Sequence, residues 1–163
     1  MTSNTLEMSL QALPERVWAI RKFVEAYYEV VLDDPDLLDR MAMATHELME
    51  NAAKYASGDR SLLSIAYQPD REPPCLEIAV TNRVSPENVR PLADLVDRLS
   101  RTEDVQQLYI DMIRESAKRA EGSGLGLIRI RAEGDMTLQL EAKDDHICIR
   151  ASAHTAVSAG GTR

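Results

Sequence analysis

Thr45-His46-Glu47-Leu48-Met49-Glu50-Asn51-Ala52-Ala53-Lys54-Tyr55 sets a carboxylate, an amide and an ammonium at Glu47, Asn51 and Lys54, spaced i, i+4 and i+7. On a helix those three side chains stand on one face, about one turn apart. Leu37, Met41, Ala44, Leu48, Ala52 and Tyr55 keep helical spacing on the neighbouring face, a row that buries itself against a core. The stretch predicts a helix with an anchored side and a chemically equipped side. Glu47 and Lys54 taken alone also fit a solvated helix surface. Asn51 fits it less well, because an Asn inside a helix competes for the backbone and has poor propensity.

Upstream, Asp33-Asp34-Pro35-Asp36 breaks the pattern, and an Asp beside a Pro is suited to cap the helix that follows. Pro14 starts an earlier helix, with Val17, Ile20, Val24, Tyr27, Tyr28 and Val31 at helical spacing and Glu15 in its first turn. Leu6, Met8 and Leu10 alternate with polar residues, as in a half-buried strand. Downstream, the central helix is expected to run to about Ala56, with Gly58 as its stop. Ser61 to Gln68 and Cys75 to Asn82 read as an antiparallel hairpin around the turn-forming Pro69-Asp70-Arg71-Glu72-Pro73-Pro74.

From residue 86 to 120 the chain is helical and charged, with one row at Val89, Leu92, Leu95, Val96 and Leu99 and another at Val105, Leu108, Tyr109, Met112 and Ile113. Its place between two motif-bearing parts suggests a lid. Glu121-Gly122-Ser123-Gly124-Leu125-Gly126-Leu127 is the one glycine-rich loop, leading into Ile128 to Arg131; Met136 to Ala142 and Ile147 to Ala151 then form a second hairpin. One domain over 1–152 with a disordered tail over 153–163 is expected. Hairpins mixed with helices argue for an α+β two-layer sandwich, helices on one face of a mixed, mainly antiparallel sheet.

The chain has 163 residues, enough for one domain with a core, and a formal charge of −8 without a Lys/Arg block, which disfavours nucleic acid as a partner. Neither a basic, apolar leader nor an apolar run of membrane-spanning length is visible, so a cytoplasmic protein without membrane insertion is expected. Cys75 and Cys148 lack metal-ligand spacing and read as ordinary thiols.

A glycine-rich loop entering a helix can present backbone N–H groups and a positive helix end to phosphate. Gly122, Gly124 and Gly126 fit that role, and equally fit a tight turn. The dinucleotide fingerprint is excluded because a charged helical segment rather than a strand precedes the loop, and the Gly-Lys-Ser/Thr ending of a Walker loop is absent.

The conjunction of Glu-Leu-Met-Glu-Asn-Ala-Ala-Lys-Tyr on a helix, a hairpin, a long lid and Gly-Ser-Gly-Leu-Gly-Leu resembles the GHKL (histidine-kinase-like, Bergerat-fold) ATPase superfamily, over about Leu6 to Ala151. Within it, the strand end at Asn82, Leu108-Tyr109 in the lid and the Gly-x-Gly-Leu-Gly-Leu-Ile loop resemble the anti-sigma-factor kinase branch, nearest the SiaB family of protein kinases. The resemblance implies ATP and Mg2+ as cofactors, with Glu47 as the general base and Asn51 as the magnesium ligand. Lys54, Gly122, Ser123, Gly124, Leu125 and Gly126 would contact phosphate, and Asn82 would read the adenine amino group. Asn82 stands where the family has Asp, and Val84 where it has Gly; an Asn carbonyl can still accept from an amine. The implied activity is phosphorylation of Ser or Thr on a small regulatory protein, STAS-like or SiaC-like, with homodimerisation by analogy.

The altered first glycine box equally suits a different class, a nucleotide-degenerate scaffold or anti-sigma-type module that sequesters its partner without turnover. His46, beside Glu47, superficially matches a phospho-accepting histidine, but the residues after it do not continue that pattern.

Overall fold

A computed structural model of the chain describes residues 4–118 and 124–155. The elements run β1 (Asn4–Leu10), α1 (Pro14–Tyr28), α2 (Pro35–Tyr55), β2 (Ala56–Gln68), β3 (Cys75–Val84), α3 (Pro86–Arg101), α4 (Val105–Ser116), α5 (Leu125–Ala132), β4 (Thr137–Lys143) and β5 (His146–His154). Asp34 caps α2 as expected: its Oδ1 accepts from the backbone N–H of Asp36 at 3.0 Å and of Leu37 at 3.2 Å, with Pro35 in the first turn.

The five strands lie in the order β1-β2-β3-β5-β4. Every adjacent pair is antiparallel. The α+β sandwich is therefore as expected, while the mixed pairing is corrected: β4 and β5 form a hairpin that joins the sheet through β5, which runs antiparallel to β3. Leu63, Ile65, Leu76, Ile78, Val80, Ile147, Ile149 and Ala151 form the inward face and are buried. On the opposite side Arg150 makes ion pairs with Glu77 at 3.0 Å and Glu141 at 3.2 Å. A sheet with one helix-covered face and one wet face explains the alternation along its strands.

The helices close the inward face. Val17, Ile20, Val24 and Tyr28 of α1 are buried, and the Tyr28 hydroxyl donates to Ile65 O at 2.9 Å, tying α1 to β2. Leu37, Met41, Ala44, Leu48 and Ala52 of α2 are buried as their row predicted, with Tyr55 partly buried against the core. Arg40 donates to Gly134 O at 2.6 Å and Asp135 O at 3.0 Å, fastening the first half of α2 to the end of α5.

Two boundaries differ from the sequence reading, at Gly58 and at the end of β5. Gly58 does not stop α2; the helix ends at Tyr55, Ala56 turns extended at ψ 131, and β2 begins at once with a register shift between Ala56 and Ser61. Gly58 lies inside β2, where a Cβ would come within 3.3 Å of the Arg83 side chain. The two helical rows expected between 86 and 120 are α3 and α4: among the described residues α3 buries Leu92, Val96 and Leu99 in the core and packs on β4, while α4 buries only Leu108 and rests on α5. Residues 119 and 120 of the expected lid lie outside the described residues. β5 continues to His154, past the expected boundary at 152, and the rest of the expected tail, 156–163, also lies outside the described residues. Cys75 and Cys148 are both free thiols. Among the described residues, no helix is long and apolar enough to cross a membrane.

Candidate functional site

The equipped side of α2 faces α5, and a cleft of about 720 Å³ opens between them, lined from α2 by His46, Glu47, Glu50, Asn51, Lys54 and Tyr55. Gly124, Leu125, Gly126, Leu127 and Arg129 supply the other wall, and Ser116 closes it from the end of α4. Gly124 sits in the left-handed region at φ 46, which a glycine adopts without steric cost and which launches α5 directly at the cleft. The first-turn N–H groups of α5 have no partner within the helix, which makes this end a ready anion acceptor.

Glu47 is the most enclosed polar group of the cleft, its side chain only 5% exposed. Arg129 Nη1 donates to Glu47 Oε1 at 2.5 Å. The same guanidinium donates to Glu133 through Nη2 at 3.1 Å and through Nε at 3.3 Å to each oxygen. Glu133 Oε1 also accepts from the Tyr109 hydroxyl at 2.8 Å. A chain of contacts therefore runs from α4 across α5 to the buried carboxylate of α2. Burial pushes the Glu47 carboxyl above the usual range, with Arg129 the main opposing influence. Glu133, bonded by Arg129 and Tyr109, is held below it. Gly126 is shaped to this carboxylate, since a Cβ there would overlap Glu47 Oε2.

Asn51 is half-buried one turn beyond Glu47, and Lys54 is exposed at the cleft edge with its ammonium 5.1 Å from the Tyr55 ring centroid. His46 Nε2 lies 3.2 Å from Glu50 Oε1. The buried His46 Nδ1, Thr45 Oγ1 and Ser61 Oγ have no hydrogen-bond partner among the described residues. A smaller cleft of about 270 Å³ shares Tyr55, Ser116 and Gly124 with the first and is lined by Pro91, Leu92, Leu95 and Met112 of the lid helices.

Glu47, Asn51, Lys54, Gly124, Leu125 and Gly126 thus line one cleft. Gly122 and Ser123 lie outside the described residues. Asn82 lines neither cleft: it points inward from β3, 4% exposed, opposite Ser61 of β2, and its Nδ2 donates to Arg83 O at 3.1 Å. Arg129 is the residue that sequence reasoning did not single out for Glu47. Its position one turn beyond Gly126 was visible, but its partner lies 82 residues away. Arg131, which the sequence leaves as basic as Arg129, instead donates to the backbone of Leu99 and holds the end of α3.

The residues fit a magnesium nucleotide. The cleft has the volume of a cofactor pocket. Among the described residues no three His, Cys, Asp or Glu side chains cluster as an all-protein metal cage. A cation here would draw most of its ligands from phosphate and water, which is how magnesium is ordinarily held, and Asn51 has an amide oxygen that would be available to it.

A search of curated proteins by sequence finds no match. In structure, the chain is similar to a chain of the SiaB–SiaC complex crystal structure from Pseudomonas aeruginosa, with a TM-score of 0.67 and 16% identity over 91% of this chain and 89% of that one. At that identity the likeness shows the fold. The description of the histidine kinase-like ATPase domain matches residues 10–133, from the end of β1 through the cleft to Glu133. With the α2 motif, the β2–β3 hairpin and the glycine-led α5 all inside that span, the chain belongs to the histidine kinase-like ATPase domain family.

Proposed function

We propose that the protein is a cytoplasmic, ATP-dependent Ser/Thr kinase of the GHKL type that phosphorylates a small regulatory protein. The observation that carries this reading is the buried Glu47 carboxylate facing the cleft, with Asn51 and Lys54 on successive turns and the N-terminus of α5 opposite. Bound ATP with Mg2+ supplies the transferable phosphoryl group and neutralises charge as it moves. Glu47 accepts the proton of the attacking hydroxyl on its carboxylate; the Asn51 amide oxygen holds the metal. Lys54 and the first amides of α5, with Gly122 and Ser123 before them, hold phosphate. The Asn82 carbonyl is assigned the base amino group by resemblance. Most of the acceleration then comes from positioning and electrostatic stabilisation.

The partner we propose is a small STAS-like or SiaC-like protein, a reading supported by the likeness to a chain of the SiaB–SiaC complex. The test is transfer of labelled γ-phosphate from ATP to such a protein. Glu47→Gln should abolish transfer while ATP binding persists; transfer at the parent rate in that variant sinks the assignment.

One observation favours a second reading. Asn82, expected to read the base, is not among the described residues that line the cleft, and its amide donates instead to Arg83 O. A scaffold that binds its partner without turnover would leave no calorimetric heat on titration with millimolar ATP and magnesium.

A further inference from the structure

The Glu47 carboxylate is buried, yet a base must be ionised and correctly aimed to take a proton. On α2 its neighbours His46 and Glu50 form their own pair. From α5 and its C-cap it faces Arg129 and Glu133, and beyond them Tyr109 of α4. Of these, only Arg129 donates a hydrogen bond to the carboxylate among the described residues. The guanidinium is in turn oriented by three donations to Glu133, whose Oε1 is fixed by the Tyr109 hydroxyl. Tyr109 belongs to the helix least anchored in the core, where Leu108 alone is buried.

We propose that Arg129 is a positioning residue for the base: it aims the Glu47 carboxylate and holds it ionised, and Glu133 with Tyr109 fixes Arg129 only while α4 lies against α5. This deepens, and rests on, the reading of Glu47 as general base. The alternative role for Arg129, direct contact with phosphate, has a different kinetic signature. A phosphate ligand supports nucleotide binding and acts on KM, whereas a residue that prepares the base acts on kcat. Arg129 differs from Glu47 in touching no reacting atom on this account. The ordering of α4 becomes a condition for chemistry, because its Tyr109 is the outer end of the chain.

Two measurements test it. In the ligand-free protein, a 13C carboxyl titration of Glu47 should move to higher pH in Arg129→Met and return towards the parent in Arg129→Lys. An unmoved titration in Arg129→Met overturns the proposal, whatever the fate of the kinase reading. In steady-state transfer, Arg129→Met should lower kcat about 100-fold, the lower end of what general base catalysis contributes, with KM for ATP unchanged. Tyr109→Phe, which keeps the ring and removes only the hydroxyl, should lower kcat by roughly 3- to 10-fold at constant KM, and little further in the Arg129→Met background, as residues acting as one unit do. A rise in KM with kcat intact assigns Arg129 to phosphate and overturns the proposal. Full transfer by Glu47→Gln would remove the base reading instead, leaving the carboxyl titration to report on the Arg129 contact alone.

Discussion

Gly126 is built around Glu47: a Cβ at the glycine would overlap the carboxylate's Oε2, and its next neighbour would be Glu47 Cδ at 3.3 Å. The last glycine of the loop therefore makes room for the carboxylate of α2 as well as exposing backbone to the cleft. A carboxylate is the end of a flexible side chain, but this one is buried and bonded to Arg129, so it has little freedom to yield.

Gly126→Ala should accordingly fold and cost about 1 to 3 kcal/mol, the usual penalty for overpacking. Transfer should fall far more than stability does. Thermal melts beside single-turnover transfer measure the two losses in one preparation.

Gly134 provides the contrast. Its Cβ would meet Ile130 O at 2.6 Å and Met43 Cε at 2.7 Å, and a backbone oxygen inside α5 cannot move aside. Gly134→Ala should lower stability by at least the same ~1 to 3 kcal/mol. Protein that remains folded should retain ATP affinity, checked by denaturant melts and calorimetry.

Asn51→Ala should remove the magnesium-dependent part of ATP binding, and Lys54→Ala should weaken binding with magnesium present. A loss of about tenfold, or roughly 1.4 kcal/mol, is expected for one charge-assisted phosphate contact. Calorimetric titration with and without magnesium separates the two effects.

The elevated carboxyl of Glu47 predicts a pH dependence with a definite sign. Transfer should fall as pH drops through that group's folded-state value, above the normal carboxylate range. For stability, a carboxyl raised on folding contributes below its unfolded value, and that contribution is lost as pH rises through the folded one. Glu47→Gln escapes this loss, and Arg129 keeps Glu133 as its partner. The variant should thus gain in Tm relative to the parent between acid and neutral pH. Melts from pH 4 to 8 would show the gap widening upward, and a gap that narrows contradicts the assignment.

Asp34→Ala removes the side-chain acceptor for two backbone N–H groups at the start of α2. A loss of about 1 kcal/mol is expected, with transfer per folded molecule unchanged, because the cap lies at the end of α2 opposite the site.

Features carried by bonds within one turn or by alternate residues were legible in the chain. The Asp34-Pro35 cap, the apolar row from Leu37 to Tyr55, the alternation of β1 and the glycine entry to α5 depend on neighbours no more than a few positions away. The spacing of Glu47, Asn51 and Lys54 likewise placed them on one helix face. What the tertiary structure alone decided was which groups meet across that face. Gly58 became part of a strand because β2 pairs with β3 right after α2, overriding a local helix stop. Asn82 faces inward opposite Ser61 because of the β2–β3 register. Arg129 and Arg131 are two residues apart and alike in charge, yet one reaches Glu47 and the other the backbone of α3. Their different fates follow from the helix turning by about 100° per residue and from the packing of α2 and α3 on different sides of α5, a relation fixed only when the helices settle on one face of the sheet.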